Sequence, residues 1–103
     1  MEDVSSKKFS EKMEDDNVVV LDVRTKQEHD NAKVPGSVLI DIMQQDFKKN
    51  ISQLDKSKTY LVYCRSGSRS RHAVKIMQDE DIQSIYHLKN GFNEWQGEGY
   101  EVE

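Results

Sequence analysis

The chain has 103 residues, a formal net charge of −4 and a charged fraction of 33%. This length fits a single domain over residues 1–103 with one compact core. No apolar run is long enough to span a membrane, and an acidic chain lacks the basic face of a nucleic-acid-binding protein, so we expect neither partner.

The hydrophobic pattern predicts strands that alternate with helices. In chain order, we expect a helix over residues 7–14, a strand over 18–21, a helix after Thr25, a strand over 38–40, a helix over 44–54, a strand over 59–63, a helix that begins near 68–70 and ends at 79, a strand over 85–88 and a short helix over 92–95. The runs 18–21 and 59–63 consist of β-branched, aromatic and apolar residues at consecutive positions, which is typical of strands buried on both faces of a parallel sheet. Thr25 and Glu28 have the spacing of a helix capping box. The sequence therefore predicts an α/β domain of three layers, with a mainly parallel central sheet flanked by helices.

A polar loop that begins with the only cysteine follows the strand over 59–63. Ligand sites in parallel sheets lie at the carboxyl ends of the strands. Gly67 can adopt a positive φ, which lets consecutive N–H groups turn inward, and the next helix adds its unpaired N-terminal N–H groups. Such a ring of donors favours a thiolate at Cys64, and the thiolate is the nucleophilic form of cysteine.

Positive charge is concentrated beside this cysteine, although the chain is acidic overall. Arg65, Arg69, Arg71 and Lys75 all lie within the next eleven positions. Local positive charge of this kind attracts a small anionic substrate. The alternative interpretation is a structural cysteine followed by an ordinary basic helix. The glycine, the serines and the arginines of the loop together favour the reactive cysteine.

The loop Cys64-Arg65-Ser66-Gly67-Ser68-Arg69-Ser70 resembles the active-site loop of single-domain rhodaneses, Cys-Arg-Ser-Gly-x-Arg-Ser. Three other segments resemble family motifs in the same order: residues 21–24 the Leu-Asp-Val-Arg motif, residues 34–37 the Ile-Pro-Gly-Ala turn, and residues 88–95 the closing Leu-x-Gly-Gly-x-x-x-Trp segment. The chain departs from the family at Ala32-Lys33, where Gly-His is usual, and at Asn90, where the first glycine of the closing pair is usual. We expect the second change to be mild because asparagine tolerates a left-handed conformation.

The resemblance implies the rhodanese fold and the activity of a thiosulfate sulfurtransferase. It implies that Cys64 takes the outer sulfur of thiosulfate, releases sulfite and holds the sulfur as a persulfide. The residues that would bind the substrate and the persulfide are Arg65, Ser66, Gly67, Ser68, Arg69 and Ser70. Asp22 and Arg24 would support the site. An alternative that stays open is that these two residues form an ion pair with no role in the chemistry. The expected partners are a small anionic donor such as thiosulfate, a thiol or cyanide acceptor, or a protein sulfur donor or acceptor; no cofactor and no metal ion is expected.

Other polar and aromatic residues receive a structural interpretation. His72 is expected to face solvent, and His29 and His87 lack the spacing of metal ligands. Thr25 and Glu28 are expected to cap a helix rather than to take part in the chemistry. Phe92 and Trp95 are expected to pack in the core or at its rim.

Three alternatives to a thiosulfate-specific enzyme are open. A phosphatase or arsenate reductase usually has five residues between its cysteine and arginine, whereas four separate Cys64 from Arg69. A non-catalytic module commonly lacks the cysteine. A sulfur-relay protein would share the persulfide chemistry but exchange sulfur with another protein. The single cysteine and an acidic start without signal-peptide features favour a cytoplasmic location.

Overall fold

The computed structural model describes all 103 residues. Its five strands are β1 (Glu2–Val4), β2 (Val18–Asp22), β3 (Val38–Leu39), β4 (Thr59–Tyr63) and β5 (Ile85–Leu88). Its five helices are α1 (Ser6–Lys12), α2 (Lys26–Asn31), α3 (Phe47–Ser52), α4 (Ser68–Asp79) and α5 (Gly91–Gly97). The alternation confirms the predicted α/β class. None of the helices is both long and apolar enough to cross a membrane.

The strands form one sheet in the order β1-β5-β4-β2-β3, and every pairing is parallel. Strand β4 lies in the centre and is buried from Tyr60 to Tyr63. This central position explains why its sequence is apolar at consecutive positions rather than at alternate ones. Strand β1, which the sequence did not predict, lies at the edge of the sheet, and two of its three residues are exposed.

Two apolar clusters cover the two faces of the sheet. The larger cluster contains twelve buried residues, among them Phe47 and Ile51 of α3 and Ala73 and Met77 of α4. The other cluster contains nine, from α1, α5, the opposite side chains of the strands and Val34 in the segment before β3. Successive residues of β4 alternate between the clusters, as the pleat of a strand requires. The protein therefore has three layers, which confirms the predicted architecture.

The helix boundaries follow local capping. At α2, the Thr25 side chain accepts a hydrogen bond from the Glu28 N–H, and the Glu28 side chain accepts one from the Thr25 N–H, which confirms the capping box. Helix α3 begins at Phe47, later than predicted. The reason is a turn before it, in which the Asp41 carboxylate accepts a hydrogen bond from the Met43 N–H at 2.8 Å.

The register of the two central strands places the polar loop. Asp22 at the end of β2 pairs with Tyr63 at the end of β4. The segments that follow, Val23-Arg24 and Cys64-Arg65, therefore leave the sheet side by side at its carboxyl edge. This is the edge at which ligand sites of parallel sheets form.

Candidate active site

Cys64 lies at the bottom of the loop between β4 and α4, and its residue is only 1% exposed. Two hydrogen-bond donors reach its sulfur. The Gly67 N–H lies 3.1 Å from Sγ, and the Ser70 hydroxyl oxygen lies 3.2 Å from Sγ. Donors in this arrangement stabilise negative charge on the sulfur.

Gly67 gives the loop its shape. Its φ is +108°, a left-handed conformation, and it is the N-cap of α4. A Cβ atom at this position would lie 2.3 Å from the main-chain oxygen of Lys89, so a side chain has no room. The first main-chain bond of the helix runs from the Arg71 N–H to the Gly67 carbonyl, which leaves the N–H groups of residues 68–70 without a carbonyl partner.

The N-terminal N–H groups of helix α5 are hydrogen-bonded to the main chain of the same loop. The Phe92 N–H donates to the Cys64 carbonyl at 2.8 Å, and the Asn93 N–H donates to the Arg65 carbonyl at 3.0 Å. Gly91 has a φ of +74°, and a Cβ atom there would lie 2.4 Å from the Arg65 carbonyl oxygen. Asn90 has a φ of −103°, which is outside the left-handed region. Position 90 therefore does not require the left-handed conformation that asparagine was expected to tolerate. The close approach requires glycine at 91 and not at 90.

The two arginines of the loop have different surroundings. Arg69 forms two hydrogen bonds with the Glu28 carboxylate, at 2.7 and 2.9 Å. These bonds lower the pKa of Glu28 to about 2. Glu28 therefore fixes the loop as well as capping α2, a contact that its role in the capping box alone did not predict. Arg65 is exposed and forms no ion pair.

A cavity of about 290 Å³ opens beside the loop on the side of Arg65. Arg24 and Arg65 both line it, together with Glu28, Asn31, Ala32, Phe92, Asn93 and Gln96. The guanidinium of Arg24 lies 4.4 Å from the centre of the Phe92 ring, a cation–π contact that fixes its plane. Glu28 is paired with Arg69, and Arg24 is paired with Asp22, so the positive charge that this cavity offers a ligand is that of Arg65.

Asp22 and Arg24 form a buried ion pair at the end of β2. Asp22 is 0% and Arg24 is 4% exposed, and the Arg24 Nη2 lies 2.8 Å from the Asp22 Oδ2. The Tyr63 hydroxyl and the His29 Nδ1 also lie 2.9 Å from this oxygen. Burial by itself would raise the pKa of Asp22, but the hydrogen bonds from Arg24 and His29 outweigh it and lower the pKa.

The remaining residues of the loop differ in how deeply they are buried. Ser66 and Ser68 are exposed, whereas Ser70 is fully buried. His72 is exposed, as predicted, and Trp95 and Phe92 pack in the core beside α1. No group of three or more His, Cys, Asp or Glu side chains is arranged to hold a metal ion.

The sequence analysis missed His87, which is 0% exposed and joins the site from β5. Its Nε2 lies 2.6 Å from the Ser70 hydroxyl, and its Nδ1 lies 2.8 Å from the Asp3 carboxylate. The available signal was a histidine inside an apolar strand. Its partners could not be read from the sequence because they lie 17 and 84 positions away.

Comparison with known proteins agrees with the fold. A sequence model of the rhodanese-like domain matches residues 5–98. “Putative sulfurtransferase YtwF” of Bacillus subtilis is 29% identical over 99 residues, which cover 95% of this chain and 93% of that protein. The “Putative sulfur carrier protein YrkF” of the same organism is 27% identical over 92% of this chain, which corresponds to 51% of that protein.

A solved structure shows the same likeness. The crystal structure of a rhodanese-related protein from Thermoplasma volcanium superposes with a TM-score of 0.87 at 26% identity, and the match covers 100% of this chain and 98% of that one. The family match spans nearly the whole chain and includes Cys64 and the loop that follows it. This chain belongs to the rhodanese family, whose members similar to it include sulfurtransferases.

Proposed function

We propose that the chain is a sulfurtransferase that carries a sulfane sulfur on Cys64 and that thiosulfate, or a similar small anion, is its donor. The Cys64 thiolate attacks the outer sulfur, the bond between the two sulfurs of thiosulfate breaks, and sulfite leaves with the electron pair. A thiophilic acceptor, a thiol or cyanide, then attacks the terminal sulfur of the persulfide and regenerates the Cys64 thiolate.

The observation that carries this proposal is the set of donors around Sγ. The Gly67 N–H and the Ser70 hydroxyl already point at the sulfur, at 3.1 and 3.2 Å. The unpaired N–H groups of residues 68–70 lie in the same turn. A persulfide carries its negative charge on the terminal sulfur, and such a ring of donors stabilises that charge in a site with little water.

Of the two loop arginines, Arg65 is the better candidate for binding the sulfonate group of the donor. Arg69 is already held by Glu28 through two hydrogen bonds, whereas Arg65 lines the cavity and has no ion pair. Arg24 lines the same cavity. Its Nε and Nη2 already donate to Asp22 and to the Ala32 carbonyl, so Arg65 is the guanidinium that is free to donate to the oxygens of a sulfonate.

A sulfur-relay role is a second candidate, because one relative is named as a sulfur carrier protein. In that role the donor or the acceptor is another protein, and the Cys64 chemistry is the same. A phosphatase is disfavoured, because the four residues between Cys64 and Arg69 leave a smaller loop than a tetrahedral oxyanion requires. In addition, Arg69 is turned away to Glu28.

The test is the formation of thiocyanate from thiosulfate and cyanide by the wild type and by Cys64→Ser. We expect activity in the wild type and none in the variant. A folded wild type that forms no thiocyanate would contradict the thiosulfate proposal. Transfer from a protein persulfide donor in the same preparation would then favour the relay.

A further inference from the structure

A continuous line of hydrogen bonds runs from the edge of the sheet to the Cys64 sulfur. The Asp3 carboxylate lies 2.8 Å from the His87 Nδ1, the His87 Nε2 lies 2.6 Å from the Ser70 hydroxyl, and that hydroxyl lies 3.2 Å from Sγ. His87 and Ser70 are both 0% exposed. No other part of the proposed reaction uses this buried histidine.

The donor and the acceptor of each hydrogen bond between Asp3 and Cys64 can be assigned. The Asp3 carboxylate accepts a hydrogen bond, so the Nδ1 of His87 carries a proton and its Nε2 has a free lone pair in the neutral ring. Ser70 has one hydroxyl proton and three neighbours that can accept it: Nε2, Sγ and the Gly67 carbonyl oxygen at 3.1 Å. The shortest contact is with Nε2. While Cys64 is a thiol, Ser70 therefore donates to His87 and can accept a hydrogen bond from the S–H group. Once Cys64 is a thiolate, the Ser70 hydroxyl donates to Sγ, which is the direction described for the site above.

We propose that Ser70 and His87, held by Asp3, form a proton relay that removes the Cys64 proton when the sulfur is to attack and returns it afterwards. The S–H proton moves to the Ser70 oxygen while the Ser70 proton moves to the His87 Nε2. The products are a thiolate and an imidazolium, so the number of protons in the site is unchanged. The Ser70 hydroxyl then donates to the thiolate. The inference rests on the proposed function, because it assigns the base for that reaction.

The charges around His87 suit a base that is neutral at rest. Burial lowers the pKa of His87, the hydrogen bond to Asp3 raises it in part, and the charge of Arg71 lowers it. Asp3 contacts the ring from β1, and Arg71 of α4 contacts Asp3, whereas the neighbour in β4 is the apolar Val62. Cys64 is connected to the ring only through Ser70. Asp3 also stabilises the imidazolium once it has formed. Because its side chain is 34% exposed, the line ends at solvent.

His87 acts through Ser70 and is thus a positioning residue, for which the chain offers a matched control. His87→Gln keeps a polar group near Ser70 but cannot take up a proton. His72→Gln makes the same change at an exposed histidine of α4. Asp3→Asn removes the charge at the exposed end and keeps an acceptor. Circular dichroism and thermal unfolding verify that each variant is folded before its chemistry is measured.

The experiment is the rate of alkylation of Cys64 by iodoacetamide as a function of pH. It needs no sulfur donor, so its result is independent of whether thiosulfate is the substrate. The relay predicts that His87→Gln slows alkylation about tenfold near neutral pH and that the rates converge at high pH. Asp3→Asn should produce a smaller effect in the same direction, and His72→Gln none.

A structural role for His87 predicts a different result, namely a rate that falls by the same factor at every pH. That result, or profiles that coincide for the wild type and His87→Gln, would overturn the relay. A second measurement uses the reciprocal linkage between the two groups. The imidazole nitrogen resonances of His87 should titrate at a lower pH in Cys64→Ala than in the wild type, since the variant has no thiolate to stabilise the imidazolium. Identical titrations would also refute the relay.

Discussion

The contact between α5 and the loop can be tested with Gly91→Ala. The substitution places a Cβ atom 2.4 Å from the Arg65 carbonyl oxygen and keeps a residue with a side chain at a φ of +74°. The left-handed conformation costs about 1–2 kcal/mol. If the helix moves away to relieve the clash, the bonds that the Phe92 and Asn93 N–H groups donate to the loop are lost or lengthened, at about 1 kcal/mol each. We expect a loss of about 3–4 kcal/mol, a large part of the stability of a domain of this size.

Variants of two other glycines distinguish the energetic cost of the steric clash from the cost of the left-handed conformation. Gly99 has a φ of +82° and no heavy atom within 4 Å of a Cβ, so Gly99→Ala should cost only about 1–2 kcal/mol. Gly97 ends α5 with nothing within 4 Å, and Gly97→Ala should be neutral or stabilise by up to about 1 kcal/mol. Urea unfolding of the three variants and the wild type gives the free energies. A loss at Gly91 no larger than the loss at Gly99 would refute the close contact.

Three further predictions concern the groups around the loop. Tyr63→Phe should destabilise the fold by about 1–3 kcal/mol in urea unfolding, because its buried hydroxyl donates to Asp22 at 2.9 Å; an unchanged midpoint would contradict this contact. Glu28→Gln should make stability depend less on pH. The pKa of Glu28 is about 2 in the folded protein and 4.5 ordinarily, so its contribution is complete above about pH 5 and is lost as the pH falls towards 2. Equal pH dependence in urea unfolding of the wild type and the variant would argue against the bond to Arg69. Arg65→Gln should raise the KM for thiosulfate about tenfold and change kcat less, as measured from initial rates; an unchanged KM would remove Arg65 from the donor site.

The sequence predicted the elements whose residues are buried on both faces or have a clear capping pattern. Strand β4 and helix α2 are of this kind, and the loop between β4 and α4 was recognisable because its residues are contiguous. Strand β1 was missed because it has three residues and two of them are polar and exposed. Its single buried residue, Val4, leaves no pattern that distinguishes a strand from an unstructured end.

The parts of the site that were missed depend on contacts between distant segments. Glu28 was interpreted as a cap, and its second role appears only because α2 and α4 bring it to Arg69, 41 positions away. His87 was considered only as a metal ligand, and its partners come from α4 and β1. A pattern of neighbouring residues carries no information on such pairs, whereas the fold that creates them was predictable.

Cys64 is proposed to hold the transferred sulfur, and the most direct test is mass spectrometry of the intact protein after treatment with thiosulfate. We expect a mass gain of one sulfur atom, located on the peptide that contains Cys64, reversed by cyanide and absent in Cys64→Ser. A wild-type protein that is folded, has a free thiol and gains no sulfur from thiosulfate or from a protein persulfide donor would contradict it.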